Sequence, residues 1–155
     1  MTPATGMPEK DLRARALGYL ARREYTRAEL ARKLAVYCED SDELTSLLDD
    51  FTRRGWLSEA RFTEMLVQAR QGKFGVRRIA HELREKGVSE EGIAAAMPDI
   101  RENELETARA VWMKKFGVPP ADSRERARQM RFLASRGFGA ETLQRILREK
   151  ENNEE

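Results

Sequence analysis

Apolar residues recur three or four positions apart along almost the whole chain, and no stretch alternates with period two. Leu12, Ala16, Leu17 and Leu20 form one stripe, Leu30, Leu34 and Tyr37 a second, and Leu44, Leu47, Leu48 and Phe51 a third. Phe62, Leu66 and Ala69 follow, then Ile79 with Leu83, then Ile93, Ala96 and Met97. A longer run holds Leu105, Ala108, Val111, Trp112 and Phe116. Met130, Leu133 and Ala134, then Leu143, Ile146 and Leu147, complete the set. The pattern predicts nine helices and an all-α fold.

The junctions between stripes share a form. An apolar residue precedes Ser, Thr or Gly, and another apolar residue follows four places on. Tyr25-Thr26 leads to Leu30, Leu57-Ser58 to Phe62, Phe74-Gly75 to Ile79, Val88-Ser89 to Ile93, and Phe138-Gly139 to Leu143. This is a helix N-cap with a hydrophobic staple, which fixes the angle at which each helix starts. Thr26 with Glu29 also fits a capping box. Pro98 and the pair Pro119–Pro120 are expected to break helices, because proline lacks the amide a helix interior needs.

Shifting the chain by 49 or 50 residues lays it on itself. Leu30 falls on Ile79, Leu34 on Leu83 and then on Leu133, and Leu17 on Leu66 and then on Phe116. The run "EKGVSEEGI" meets "SRGFGAETL", so Gly87 overlays Gly137, Val88 Phe138, Ser89 Gly139 and Ile93 Leu143. Such self-similarity marks a repeat fold. Three three-helix units are expected over 10–57, 58–98 and 99–150, flanked by frayed tails at 1–9 and 151–155. Each unit is too small to bury much alone, so neighbours must lean on one another in an elongated, curved row. The first unit departs from the pattern, with "CEDSDE" where the others have glycine, an apolar residue and a cap.

Composition agrees: 36 % of residues are charged and only 7 % aromatic, too little bulk for one thick core. The net charge of +2 is unevenly spread. Residues 39–50 hold six acids and no base, whereas residues 101–150 hold 12 Lys or Arg against seven acids. Cys38 is the only cysteine and His81 the only histidine. A lone cysteine fits a reducing compartment and a buried, inert thiol. With neither a leader nor an apolar run long enough for a membrane, the expectation is a cytoplasmic monomer with no membrane contact.

No motif for catalysis, cofactor or metal emerges: there is no phosphate loop, no metal-spaced His or Cys set, and His81 is expected to face solvent. No enzyme and no cofactor are expected. Glu82, four residues after Arg78, reads as an ordinary pair within one helix. Basic faces are the better lead. Arg77 and Arg84 are seven apart on one helix, and Arg70 and Lys73 lie in the loop before it. Arg124, Arg128 and Arg131 share a face of a later helix, with Arg136, Arg145 and Arg148 nearby in sequence. Arginine suits bidentate contacts to phosphate or carboxylate. Phosphate binding of this kind would be weak, independent of sequence and sensitive to salt.

Three blocks, "EYTRAELARKL", "LSEARFTEMLVQARQGKFGVRRIAHELREKGVSEEGI" and "FLASRGFGAETLQRIL", together resemble the bacterial regulatory family RecX, in order and across most of 12–148. One departure is Ser58-Glu59 where an acidic pair usually precedes the Arg-Phe dipeptide. The resemblance implies three tandem three-helix repeats that modulate the RecA recombinase. It further implies binding along the groove of the RecA–DNA filament, inhibition of ATP hydrolysis and strand exchange, and filament disassembly. Weak, non-specific contact with single- and double-stranded DNA is expected alongside. Two other readings stay open on the residues alone. One is a stand-alone DNA-binding protein using "SRERARQ" on phosphates, and the other a structural adaptor using exposed aromatics such as Trp56 or Phe74.

Overall fold

The computed structural model describes residues 7–152, and the nine helices expected are all found among them. They are α1 Glu9–Arg22, α2 Arg27–Ala35, α3 Ser41–Arg53, α4 Glu59–Arg70, α5 Val76–Glu85, α6 Glu90–Arg101, α7 Glu104–Lys115, α8 Ser123–Ser135 and α9 Ala140–Asn152. They fall into three units of three, and every extensive helix pairing lies within a unit. Each unit has its own core. Leu12, Leu30, Leu34, Leu48 and Phe51 centre the first, Phe62, Ile79, Leu83 and Ile93 the second, and Trp112, Leu133, Phe138, Ile146 and Leu147 the third.

Helix starts follow the sequence closely. The Thr26 hydroxyl accepts the Glu29 amide, and the Glu29 carboxylate accepts the Thr26 amide, completing the capping box. Ser58 and Ser89 cap α4 and α6 through their hydroxyls, and Gly75 stands before α5. Asp40 and Asp122 cap α3 and α8, two caps the staple pattern does not single out.

Four details differ from the sequence reading. Leu57 belongs to the first core rather than stapling α4, because its amide and that of Trp56 close the end of α3 on the Phe51 carbonyl around Gly55. Leu17 is 37 % exposed and only skirts its stripe. Helix α6 runs through Pro98 to Arg101, so the boundary expected between 98 and 99 falls inside it. Pro98 and Ala94, whose carbonyl loses its helical partner there, are both exposed, so the carbonyl is open to solvent, while Ile100 beyond is buried in the second core. Of the expected tails, 1–6 and 153–155 lie outside the described residues. Met7 packs on the first core and donates its amide to the Tyr37 carbonyl, and α9 reaches Asn152.

The duplicated junction turns out to be where units join. At the end of α5, Gly87 takes φ 94° and reverses the chain, its amide bonding the Arg84 carbonyl and that of Val88 the Leu83 carbonyl. At the end of α8, Gly137 does the same at φ 90°. Each turn receives the start of the middle helix of the unit before it. The Thr26 hydroxyl donates to the Lys86 carbonyl at 2.5 Å, and the Lys86 ammonium lies 3.4 Å from Glu29. One unit further on, the Gly75 amide donates to the Arg136 carbonyl at 2.9 Å and the Arg77 amide to the Gly137 carbonyl at 3.0 Å. First-turn amides have no partner inside their own helix, and at this second joint the next unit's carbonyls supply one, whereas at the first the donor is the Thr26 side chain.

These joints leave no room for side chains. A Cβ on Gly75 would stand 2.5 Å from the Gly137 carbonyl oxygen, and one on Gly137 would stand 2.6 Å from the Arg78 amide nitrogen. A Cβ on Gly87 would meet that of Ala28 at 2.7 Å. The corresponding turn of the first unit, at Tyr37 and Cys38, has no glycine, and there the Met7 amide donates to the Tyr37 carbonyl. Gly137→Ala combines left-handed strain with a backbone clash, and is expected to lower unfolding free energy by roughly 2–4 kcal/mol in urea titrations. Gly139→Ala, where a Cβ meets nothing within 4 Å, serves as the control and costs under about 1 kcal/mol.

Glu29 makes the first joint sensitive to acid. Burial works to raise its pKa, but bidentate bonds from Arg23, the Thr26 amide and nearby Lys86 outweigh that and hold it below the ordinary range. A carboxylate whose pKa is lower folded than unfolded stabilises the fold above its unfolded pKa and ceases to do so as pH falls through the folded one. The urea midpoint is therefore expected to drop as pH falls below about 4.5. In Glu29→Gln, already weaker at neutral pH, the drop is shallower.

Candidate anion-binding cleft

The basic residues singled out in the sequence divide into engaged and free. Arg70 is engaged: its guanidinium grips Glu82 at 2.6 and 2.8 Å across the α4–α5 turn, which holds the Glu82 carboxyl below its usual range. Glu82 thus pairs with Arg70 and not with Arg78, whose guanidinium lies 4.1 Å from the Phe74 ring centroid. Arg84 closes on Glu90 at 2.5 Å, a bond that lowers the Glu90 pKa. Arg128 pairs with Glu125 at 2.9 Å, and Arg145 stands 3.8 Å from Glu149, which Arg109 grips at 2.7 Å. Lys73, Arg77, Arg124, Arg131 and Arg148 are exposed, and none is in an ion pair among the described residues.

Of these, the fold brings Lys73 into a concave site. The turn after α4, the last turn of α7 and the end of α8 enclose a cleft of about 310 Å³ beside the joint of the second and third units. Lys73, Lys114, Lys115 and Arg136 line it together with Phe132, and no acid does. None of the four cations is in an ion pair among the described residues. Lys114 and Lys115 sit in the last turn of α7, where they also complement the partial negative charge of the helix end.

Aromatic rings hold two of these cations, Arg136 and Lys115. The Arg136 guanidinium lies 5.6 Å from the Phe74 ring and 5.3 Å from that of Phe132, which ties the turn before α5 to α8 across the joint. Lys115 stands over Phe132 at 5.1 Å, Phe132 packs edge-on against Phe116 at 5.4 Å, and Arg128 lies over Phe116 at 5.5 Å. Each such contact contributes about 0.5–1 kcal/mol when exposed. Together they place positive charge in a fixed row with ring faces between, an arrangement suited to phosphates and unstacked bases.

Lys114 and Lys115 went unnoticed in the sequence because no helical spacing joins them to Lys73 or Arg136. Arg77 contributes its backbone to the joint, and Arg124, Arg131 and Arg148 stand outside the cleft lining. Elsewhere, Cys38 is buried, and burial pushes its thiol pKa up, so the thiol stays protonated. His81 is exposed and 2.7 Å from Glu85. No group of three or more His, Cys, Asp or Glu among the described residues could hold a metal, and no described helix is long and apolar enough to cross a membrane.

Comparison with known proteins places this architecture. Residues 58–97 match the family model of the second three-helix domain of RecX, and residues 102–147 that of the third. The regulatory protein RecX of Leptothrix cholodnii is 49 % identical over 145 residues, covering 94 % of this chain and 92 % of that one. The RecX of Chromobacterium violaceum is 45 % identical over 138 residues, covering 89 % and 90 %. The crystal structure of RecX from Lactobacillus salivarius superposes with a TM-score of 0.82 at 18 % identity, over 92 % of this chain and 96 % of that one, so the fold persists where most side chains differ. The chain belongs to the RecX family of regulatory proteins.

Proposed function

We propose that this protein is a cytoplasmic, monomeric negative regulator of the RecA recombinase. It lies in the groove of the RecA–DNA filament, inhibits ATP hydrolysis and strand exchange, and promotes filament disassembly. Family membership supports the target. The observation that carries the mechanism is the pair of joints between units, one through the Thr26 hydroxyl and the Glu29–Lys86 pair and one through backbone bonds, which link three small cores into one row. A stiff row spans neighbouring protomers without losing the conformational freedom that a jointed chain would lose on binding. By occupying the groove it keeps out a second duplex and favours filament states other than the active one.

The unpaired cations Lys73, Lys114, Lys115 and Arg136 add weak contact with DNA phosphates, single- or double-stranded. The rival reading, a stand-alone helix-turn-helix reader, is disfavoured by the state of "SRERARQ": Arg126 is held by Glu151, Arg128 by Glu125 and Gln129 by Trp112, which leaves Arg124 as its one exposed, unpaired guanidinium among the described residues, too few for a base-reading cluster.

Two experiments test this reading. Added well below the RecA concentration, the protein is expected to inhibit DNA-stimulated ATP hydrolysis, and to do so still at salt that abolishes its binding to bare DNA. Inhibition seen only near saturation of the DNA, and lost with salt, would make it a DNA coater. For the cleft, the triple variant Lys114→Ala, Lys115→Ala, Arg136→Ala should bind single-stranded DNA at least about tenfold more weakly. Its slope of log affinity against log salt should be shallower by about 0.7 per cation removed. Arg84→Ala, whose charge is already spent on Glu90, should change affinity less than about twofold.

A further inference from the structure

We propose that the groove between α4 and α6 docks a basic, amphipathic helix of a partner protein. This groove, of about 410 Å³, is lined along both helices by residues from Glu59 to Gln71 and from Gly92 to Glu102. Each helix is 12 residues long, about 18 Å at the usual rise, so a partner helix of three turns matches its length. Small side chains, Ala60, Ala95 and Ala96, line it with Val67 and let another helix approach closely. Gly92 keeps α4 and α6 close, since a Cβ there would stand 2.7 Å from Glu59 Oε2.

Charge selects the occupant. Glu59, Glu64, Asp99 and Glu102 line the groove, and no Lys or Arg does. The chain holds 29 Lys and Arg, yet none of these four carboxylates is in an ion pair among the described residues. Glu59 is fixed by the Ser89 amide at 2.8 Å and hydroxyl at 2.9 Å, while Glu64, Asp99 and Glu102 are exposed. Phosphates are repelled by such a rim, and no described acid cluster could hold a metal. Lys and Arg on a helix whose other face is aliphatic complement both the rim and the floor. The protein then meets DNA through one cleft and protein through a separate groove. Only the partner's identity, a protomer of the RecA filament, rests on the function proposed above.

Two variants test the groove. Glu64→Gln with Asp99→Asn and Glu102→Gln removes the rim charge, and Ala95→Trp fills the floor; all four positions are exposed. Each variant should need at least about tenfold more protein to inhibit RecA ATP hydrolysis, with unchanged affinity for single-stranded DNA. Variants that inhibit like the wild type would overturn the groove and leave the RecA reading standing. Should the wild type itself fail to inhibit, the RecA reading falls, and a three-turn Leu/Lys amphipathic peptide decides the groove by direct titration. Binding by the wild type that weakens about tenfold in both variants, and is absent for the Leu/Glu counterpart, upholds it. Equal binding to all forms, or none to the wild type, overturns it.

Discussion

Two left-handed glycines carry the architecture. Gly87 and Gly137 turn the chain sharply at the ends of α5 and α8, and so present helix-end carbonyls outward. Into each turn fits the start of an earlier helix: at Gly87 the Thr26 hydroxyl donates to the Lys86 carbonyl, and at Gly137 the otherwise unpartnered amides of Gly75 and Arg77 donate to the Arg136 and Gly137 carbonyls. Both need contact so close that no Cβ can intervene at the glycine. Each core, fewer than ten buried residues around a few large side chains in the second and third units, is thin for independent stability. Joining units end to end lets each be supported by the next.

Function builds on those joints. The second one sets Phe74, in the turn before α5, beside Arg136, just past α8, and through Phe132 and Lys115 extends to α7. The third unit supplies Lys114, Lys115 and Arg136 to the cationic cleft, and the joint adds Lys73. On the second unit, α4 and α6 form an acidic groove with no counter-charge of its own. One side-chain network offers positive charge and another negative, and the two linings approach each other just past α4, where Gln71 borders the groove and Gly72 and Lys73 the cleft.

Much of the fold was legible because its signals are local. Stripes at helical spacing gave the helices, and Thr26 with Glu29 announced a capping box that the structure contains. The recurrence of Gly87 as Gly137 announced a repeat, and the odd first unit closes its corresponding turn differently, with the Met7 amide on the Tyr37 carbonyl. Less of the site was legible. Arg70 and Arg84 looked like free cations, yet Glu82 and Glu90 hold them across turns, where helical spacing gives no guidance. Lys114 and Arg136 meet through the packing of α7 on α8, and Lys73 joins them only through the joint. Pro98 misled because a proline on a solvent-facing turn can be tolerated near a helix end when a buried residue, here Ile100, lies beyond it.

The joint itself can be measured through amide hydrogen exchange at Gly75 and Arg77. First-turn amides of a helix ordinarily exchange fast, and the Arg124 amide, at the start of α8, provides that reference because it bonds no other unit among the described residues. The account predicts that Gly75 and Arg77 exchange far more slowly than Arg124 in the native protein, as befits amides bonded to Arg136 and Gly137. Exchange at all three sites at the same fast rate would mean that the units are not joined through these bonds, and the stiff row on which the functional account stands would be wrong.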